Sequence, residues 1–319
     1  MKIESLKNFD SEQRGQALIY KDIPNEDYHA GVGISSSYIR RFGQSQLHAV
    51  NHKSESTPAL KFGTAAHSLL VEGKEVFDKE VRVLTGSPYT KAYKEEKAEY
   101  EEQGYIVLKE EDANMIFEMK ANMIYEGNAY LNAKGKLAEA SIYWYEDDVL
   151  CKCRPDLMCP PLDKPNSDNQ IVIVDYKTTI SCEPYAFNKS VKKYGYDLQA
   201  SFYRRGLQMA GYDVADFVFI AQEKTQPYAS KVFRITKEQM DYGWNMMERY
   251  LEDYKEYQKG KPLSIYNSPN VVDLVLWVRA NRYMRVLSYM ESLSYALELS
   301  IRVFGRVSNK VLALLQNKY

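Results

Sequence analysis

An α/β fold with a mixed central sheet flanked by helices is what this 319-residue chain predicts. Three observations predict it. Two β-forming runs flank an acidic turn within residues 141–153, a β-branched run over residues 171–177 ends abruptly in charges, and helical periods precede, separate and follow them. Strands alternating with helices in this way bury a sheet between helical layers.

Taken in order, residues 1–33 read as irregular, with turn signals at Ile23-Pro24-Asn25-Glu26-Asp27. Ser35, Ser36 and Ser37 offer N-caps for a helix through Tyr38, Ile39, Phe42 and Leu47, with Arg40 and Arg41 riding on it. From Leu60 to Gly73 the spacing predicts a helix with a small-residue face and a glycine stop. Residues 89–133 predict two amphipathic helices broken near Gly104–Leu108, with Glu95, Glu96, Glu99, Glu101 and Glu102 as a solvated face. Ser141–Tyr145 and Val149–Cys153 form a hairpin around Glu146-Asp147-Asp148. A polar loop over residues 160–169 leads to the strand at 171–177, and helices follow over 184–192 and 197–210. Strands at Phe217–Ile220 and Lys231–Ile235 join through Thr225-Gln226-Pro227, and an amphipathic helix from Lys237 to Lys259 ends at Gly260. Residues 1–260 thus read as one domain with a helical N-terminal part. Residues 261–319 read as a helical C-terminal extension, rich in Arg, suited more to packing or assembly than to the alternative of partner docking or DNA contact.

Composition narrows the classes. A hydrophobic content of 45% and an aromatic content of 13% supply a packed core and exclude global disorder. A net charge of −1 excludes a generic polycation but leaves room for a local basic track. The N-terminus lacks an apolar signal-like region, and Asp273 interrupts the short apolar stretch from Val271 to Val278. No membrane association is expected, and the expected location is cytoplasmic. Cys151, Cys153, Cys159 and Cys182 form no CxxC pair and read as reduced structural thiols rather than as cluster or zinc ligands.

The chemistry concentrates at the strand end. Side chains alternate along a strand, so Asp175 and Lys177 share one face and Tyr176 takes the other. Charges ending a buried strand are costly unless they bind something or react. Cys153-Arg154-Pro155-Asp156 brings a second carboxylate from a neighbouring extended run. Two carboxylates suit Mg²⁺, which can activate water and neutralise a phosphodiester. Lys177 would orient the water and offset transition-state charge, and the Tyr176 carbonyl could add a ligand. Gln199 and Tyr203 are four apart and share a helix face, able to hold a phosphate or brace the strand. Glu139 reads either as a further site carboxylate or as a solvated strand start, and His67 alone reads as an ordinary helix histidine.

Asp156, Asp175-Tyr176-Lys177 and Gln199-x-x-x-Tyr203, preceded by His67 in Phe62-Gly63-Thr64-Ala65-Ala66-His67, resemble the PD-(D/E)XK nuclease superfamily. Within it the chain resembles the RecE-type phage and prophage exonucleases. Ile34-Ser35-Ser36-Ser37, Thr57-Pro58-Ala59-Leu60 and Gln222-Glu223-Lys224 to Pro227 fit the same pattern, which covers residues 20–260. Two departures are Cys153, where the family usually has Gly, and residues 265–319, which have no counterpart.

The resemblance implies a restriction-endonuclease-like core and a Mg²⁺-dependent exonuclease, with Mn²⁺ as a substitute. Such an enzyme acts 5′→3′ on linear double-stranded DNA and leaves a 3′ single strand for a single-strand annealing protein. It also implies a homo-oligomeric ring, which would hold DNA by enclosure. By position, His67, Asp156 and Asp175 would hold metal, and Lys177 would be catalytic. Lys189, Lys192 and Lys193, with Tyr194 beside them and Arg204 and Arg205 beyond, are candidates for a phosphate track; a solvated face is the plainer reading for the two arginines.

Overall fold

The computed structural model describes residues 11–53 and 57–266. The helices expected at Leu274–Val278 and Leu293–Ile301 lie outside the described residues, as does nearly all of the expected C-terminal extension.

The N-terminal residues, expected to be irregular, hold a hairpin of β1 (Ser11–Arg14) and β2 (Ala17–Tyr20), turned at Gly15 with φ 55°. Helices α1 (Asn25–Ala30), α2 (Ser36–Gln44) and α3 (Gln46–Val50) follow. The Ser35 hydroxyl accepts the Tyr38 N–H and caps α2. The expected helix over residues 60–73 is α4 (Pro58–His67) continued by a π-helical turn over Ser68–Glu72, and Gly73 ends it with φ 110°. Then come α5 (Lys74–Glu80), β3 (Val81–Leu84), α6 (Lys91–Glu102), β4 (Ile106–Lys109), α7 (Glu110–Ala121) and α8 (Tyr125–Leu131). The expected helix break near Gly104 is β4, which pairs in parallel with β3.

After α8 the chain runs β5 (Leu137–Ala138), β6 (Ser141–Glu146), β7 (Val149–Cys153), β8 (Leu157–Cys159), β9 (Gln170–Thr179), α9 (Pro184–Tyr194), α10 (Tyr196–Met209), β10 (Asp213–Glu223), β11 (Ser230–Ile235) and α11 (Lys237–Gln258). The central sheet is mixed, ordered β11-β10-β9-β8-β5, with β9 and β10 parallel and the other pairs antiparallel. The hairpin of β6 and β7, expected to join it, instead belongs to an antiparallel sheet ordered β1-β2-β6-β7. The chain passes between the two sheets at Arg154-Pro155-Asp156, where proline lacks the N–H needed to prolong a ladder.

β9 is a wall between two apolar layers, as its unbroken β-branched run requires. Ile171 and Ile173 face a core containing Trp144, Phe202, Phe217 and Phe219, while Val172, Val174 and Tyr176 face another containing Phe62, Leu69, Ile116 and Met119. Trp144 and Phe202 rings meet at 5.0 Å, and burying Phe202 stabilises by about 1.5–3 kcal/mol. Gly206 lets α10 approach this contact: a Cβ there would stand 2.6 Å from Trp144 Cζ3 and 3.0 Å from Cys153 Sγ. The four cysteines are buried free thiols, consistent with their packing role. No described helix is long and apolar enough to cross a membrane.

Candidate active site

The period-two alternation of β9 places Asp175 on the α10 side, with no solvent exposure. Its Oδ1 accepts from Gln199 Nε2 at 2.8 Å. Its Oδ2 forms an ion pair with Lys177 Nζ, yet it is buried without a well-directed hydrogen bond. Burial, then the neighbouring Asp156, push the Asp175 carboxyl up to about 7, against the pull of Lys177 and His67. Burial would also discharge Lys177, but Asp175 and Asp156 hold its pKa above the usual value. The contact between the two groups favours the ionised pair. Tyr176 turns its phenol to the opposite layer, where it donates to Gln222 Oε1 at 2.9 Å, so it brings only backbone to the site.

Asp156 sits where the chain enters β8. Its Oδ2 accepts the Tyr176 N–H at 2.7 Å. Pairing of β5 with β8 matches Ala138 to Leu157, and the Glu139 N–H continues the match by donating to the Asp156 carbonyl at 3.2 Å. Glu139 has φ 51°, a left-handed backbone that costs a non-glycine residue energy and is often kept at functional sites. This register brings Glu139 and Asp156 together at the end of α4. His67 Nε2 lies 3.3 Å from Glu139 Oε1 and 3.5 Å from Asp156 Oδ2, and His67 Nδ1 lies 3.3 Å from Glu72 Oε1. The π-helical turn after His67 places Glu72, five residues on, beside that ring.

The electrostatics are those of a crowded acidic site. Burial opposes the charged imidazole, yet Asp156, Glu72 and Glu139 raise the His67 pKa well above its ordinary value. Burial would raise Asp156, but His67, Lys177 and the Tyr176 amide hold it low. Glu139 is driven up to about 8 by burial, Asp156 and Glu72, against His67 and Arg154. Arg154 is buried behind them. It donates to Ser141 Oγ and the Ile23 carbonyl, both at 2.8 Å, and its Nη1 lies 3.9 Å from Glu139 Oε2.

One ligand atom each from His67, Glu139 and Asp156 lie within 4.8 Å of one another. Two carboxylates and an imidazole form a donor set that fits a divalent cation. Asp175, expected as a ligand, lies outside this compact group, with its oxygens against Gln199 and Lys177. The site opens into a hollow of about 760 Å³ bordered by His67, Glu72, Glu139, Asp156, Lys177 and Tyr203, among others. Tyr203, one helical turn after Gln199, borders the hollow, whereas Gln199 turns its amide to the buried Asp175.

The basic track is only partly gathered. Lys189, Lys192 and Lys193 are exposed on α9, outside the hollow's border. Arg204 and Arg205 lie elsewhere, in a small hollow beside Trp244. Arg204 donates to Asp241 at 2.7 Å, and Arg205 makes a two-bond fork to Glu146 at 2.9 and 2.8 Å. These guanidiniums tie α10 to α11 and to the hairpin, which charge along a sequence does not reveal. Sequence reasoning also missed Glu72 and the part played by Arg154. The arginine stood within the Arg-Pro-Asp motif, whereas nothing in helical periodicity marks Glu72.

Residues 35–268 match the family described as a PDDEXK-like domain of unknown function (DUF3799). Among solved structures, the chain is similar to a crystal structure of a candidate exonuclease from Eubacterium rectale, with 14% identity and a TM-score of 0.54, covering 79% of this chain and 95% of that one. A second similar structure, named SSO0001, has 12% identity and covers 70% and 85% of the two chains; its TM-score of 0.27 is too low to carry an argument. No curated protein matches the sequence. The matched span takes in β5 to β11 and every residue of the hollow's acidic group, and the chain belongs to this family of PDDEXK-like domains.

Proposed function

We propose that this chain is a Mg²⁺-dependent nuclease that degrades linear double-stranded DNA from its ends. The observation that carries the reading is the convergence of His67, Glu139 and Asp156 beside the buried Asp175–Lys177 pair. A bound divalent cation supplies an activated water and neutralises the scissile phosphate. His67, Glu139 and Asp156 would hold it, with Asp175 and the Tyr176 carbonyl at its margin. Lys177, held as an ammonium, orients the water and offsets the charge that grows on the phosphate. Gln199 fixes the rotamer of Asp175, and the Tyr203 phenol borders the space a phosphate would enter. Lys189, Lys192 and Lys193 offer exposed charge to the backbone.

The finer reading follows the RecE-type resemblance: 5′→3′ polarity, a 3′ single-stranded product passed to an annealing protein, and a homo-oligomeric ring around the duplex. Linear duplexes labelled at either 5′ or 3′ ends, and closed circular duplex, test it with Mg²⁺. Early release of 5′ label with circles left intact is the expected result. Cleavage of closed circles would make the protein an endonuclease of the same superfamily. DNA-end binding without cleavage would make it a scaffold that recruits the annealing protein.

A further inference from the structure

The stretch joining α9 to α10 carries a feature that metal chemistry does not use. Gly195 is left-handed, at φ 65° and ψ 40°, so one helix ends at Tyr194 and the next starts at Tyr196. The two tyrosine rings thereby come to lie nearly parallel, with centroids 5.6 Å apart and planes at 28°. Tyr196 is the fixed member. It is half-buried, rests on Phe219 and Phe187 at 5.6 and 6.4 Å, and borders the site's hollow with the Lys177 ammonium 5.0 Å from its ring. Tyr194 is the free member, 48% exposed, with Lys193 Nζ 5.1 Å from its ring. Arg40 crosses the intervening glycine so closely that a Cβ there would stand 2.3 Å from Arg40 Cδ. No carboxylate lies within ion-pair distance of Arg40 among the described residues.

An isolated exposed tyrosine needs no explanation. This one ends a supported aromatic stack that begins at the catalytic lysine, and cations flank it. We propose that Tyr194 is a platform on which an unpaired nucleobase of the substrate strand stacks, one ring removed from Lys177, while Arg40 and Lys193 take the adjoining phosphates. Every base presents a π-face, so the contact tolerates any sequence, as an enzyme that digests along a strand requires. A base within a duplex is already stacked on its neighbours, so the platform selects frayed or single-stranded ends. The inference rests on the nucleic-acid reading of the same site.

The test uses the full chain in EDTA, which prevents cleavage, with duplexes carrying 2-aminopurine at the terminal or third nucleotide of each strand. Anisotropy of a distant dye reports binding, and 2-aminopurine quenching reports stacking. Wild type and Tyr194→Phe are expected to quench the terminal probe on one strand. Tyr194→Ala is expected to abolish that quenching and weaken binding about ten-fold. Tyr185→Ala, which removes an exposed ring from the start of α9, is expected to change neither. Retained quenching in Tyr194→Ala, or equal loss in Tyr185→Ala, would overturn the platform while leaving the nuclease reading intact. Absence of binding both by wild type in EDTA and by Lys177→Ala with Mg²⁺ would instead sink the nucleic-acid reading and the platform with it.

Discussion

The Tyr176 N–H donates to Asp156 Oδ2 at 2.7 Å, so the strand that carries Asp175 and Lys177 also fixes the carboxylate of the neighbouring segment. The oxygen that takes this bond is the one 3.5 Å from His67 Nε2. Asp156→Asn can keep the bond by offering its amide oxygen, yet it loses the charge. Cleavage should fall by about 10²–10³-fold, the scale of losing one preorganised electrostatic group, with DNA affinity little changed. Added Mg²⁺ or Mn²⁺ should raise the melting temperature of wild type and much less that of the variant, since binding to the folded state alone stabilises it. Calorimetry with and without the ion, beside a nuclease assay, checks both. An Asp156→Asn protein as active as wild type would remove Asp156 from the mechanism.

Gln199 Nε2 is the hydrogen-bond donor to Asp175 Oδ1 in a spot with no solvent. Gln199→Ala should cost about 1–3 kcal/mol, because it leaves a buried acceptor unsatisfied. For a domain of this size that lowers the melting temperature by about 2–4 °C per kcal/mol. Gln199→Glu should be worse, since it sets another carboxylate against Asp175. Equal melting of Gln199→Ala and wild type would show that water replaces the amide.

Two glycine substitutions should act in opposite directions. Gly206→Ala pushes a methyl to 2.6 Å from Trp144 Cζ3 in a filled core and should destabilise by about 1–3 kcal/mol. Gly63→Ala, within α4, meets only Thr178 Oγ1 at an ordinary 3.7 Å. It should stabilise by about 0.5–1 kcal/mol by restricting the unfolded chain and favouring helix. Gly63 also borders the hollow, so the same methyl should slow turnover. Urea titration of both variants would expose an error in either sign.

Lys152 is buried with its ammonium on the Tyr28 and Gly31 carbonyls, at 2.5 and 2.8 Å. Burial, then nearby Arg154, lower its pKa to about 8. Below that value both folded and unfolded states are protonated, and the cost of burying the charge is fully present. Between about 8 and the ordinary value near 10.4 the unfolded chain binds more protons, so Lys152 makes stability rise with pH. Lys152→Met removes this contribution. The stability of wild type relative to the variant should therefore grow from pH 8 to pH 10, and a difference that stays flat or falls would contradict the lowered pKa.

Much of the site could be read from local sequence because local rules set it. The Ile171–Val174 run into Asp175 had to be a buried strand, and alternation put Asp175 with Lys177 and apart from Tyr176. Gln199 and Tyr203 share the site's side of α10 because four residues make about one helical turn, with Gln199 on Asp175 and Tyr203 at the hollow. What escaped reading depends on distant partners. β1 and β2 are four residues each, and they are strands because β2 pairs with β6, more than a hundred residues away. Arg204 and Arg205 displayed charge, but their partners Asp241 and Glu146 come from other elements. Glu72 lies five residues beyond His67, a spacing that an α-helical wheel puts on different faces.

That spacing makes chain length a functional variable. The Gly73 N–H reaches back to the Ser68 carbonyl at 2.9 Å, closing a turn that holds one residue more than an α-helix would. Losing any one residue between 68 and 71 would let the segment tighten to ordinary helix with Glu72 four residues after His67, still on its face, whereas adding one would turn Glu72 about 100° further round. No side chain with catalytic chemistry would be lost in either change, yet the insertion would take the Glu72 carboxylate away from the imidazole. In this stretch the length of the turn, and not only the identity of its side chains, sets where Glu72 stands.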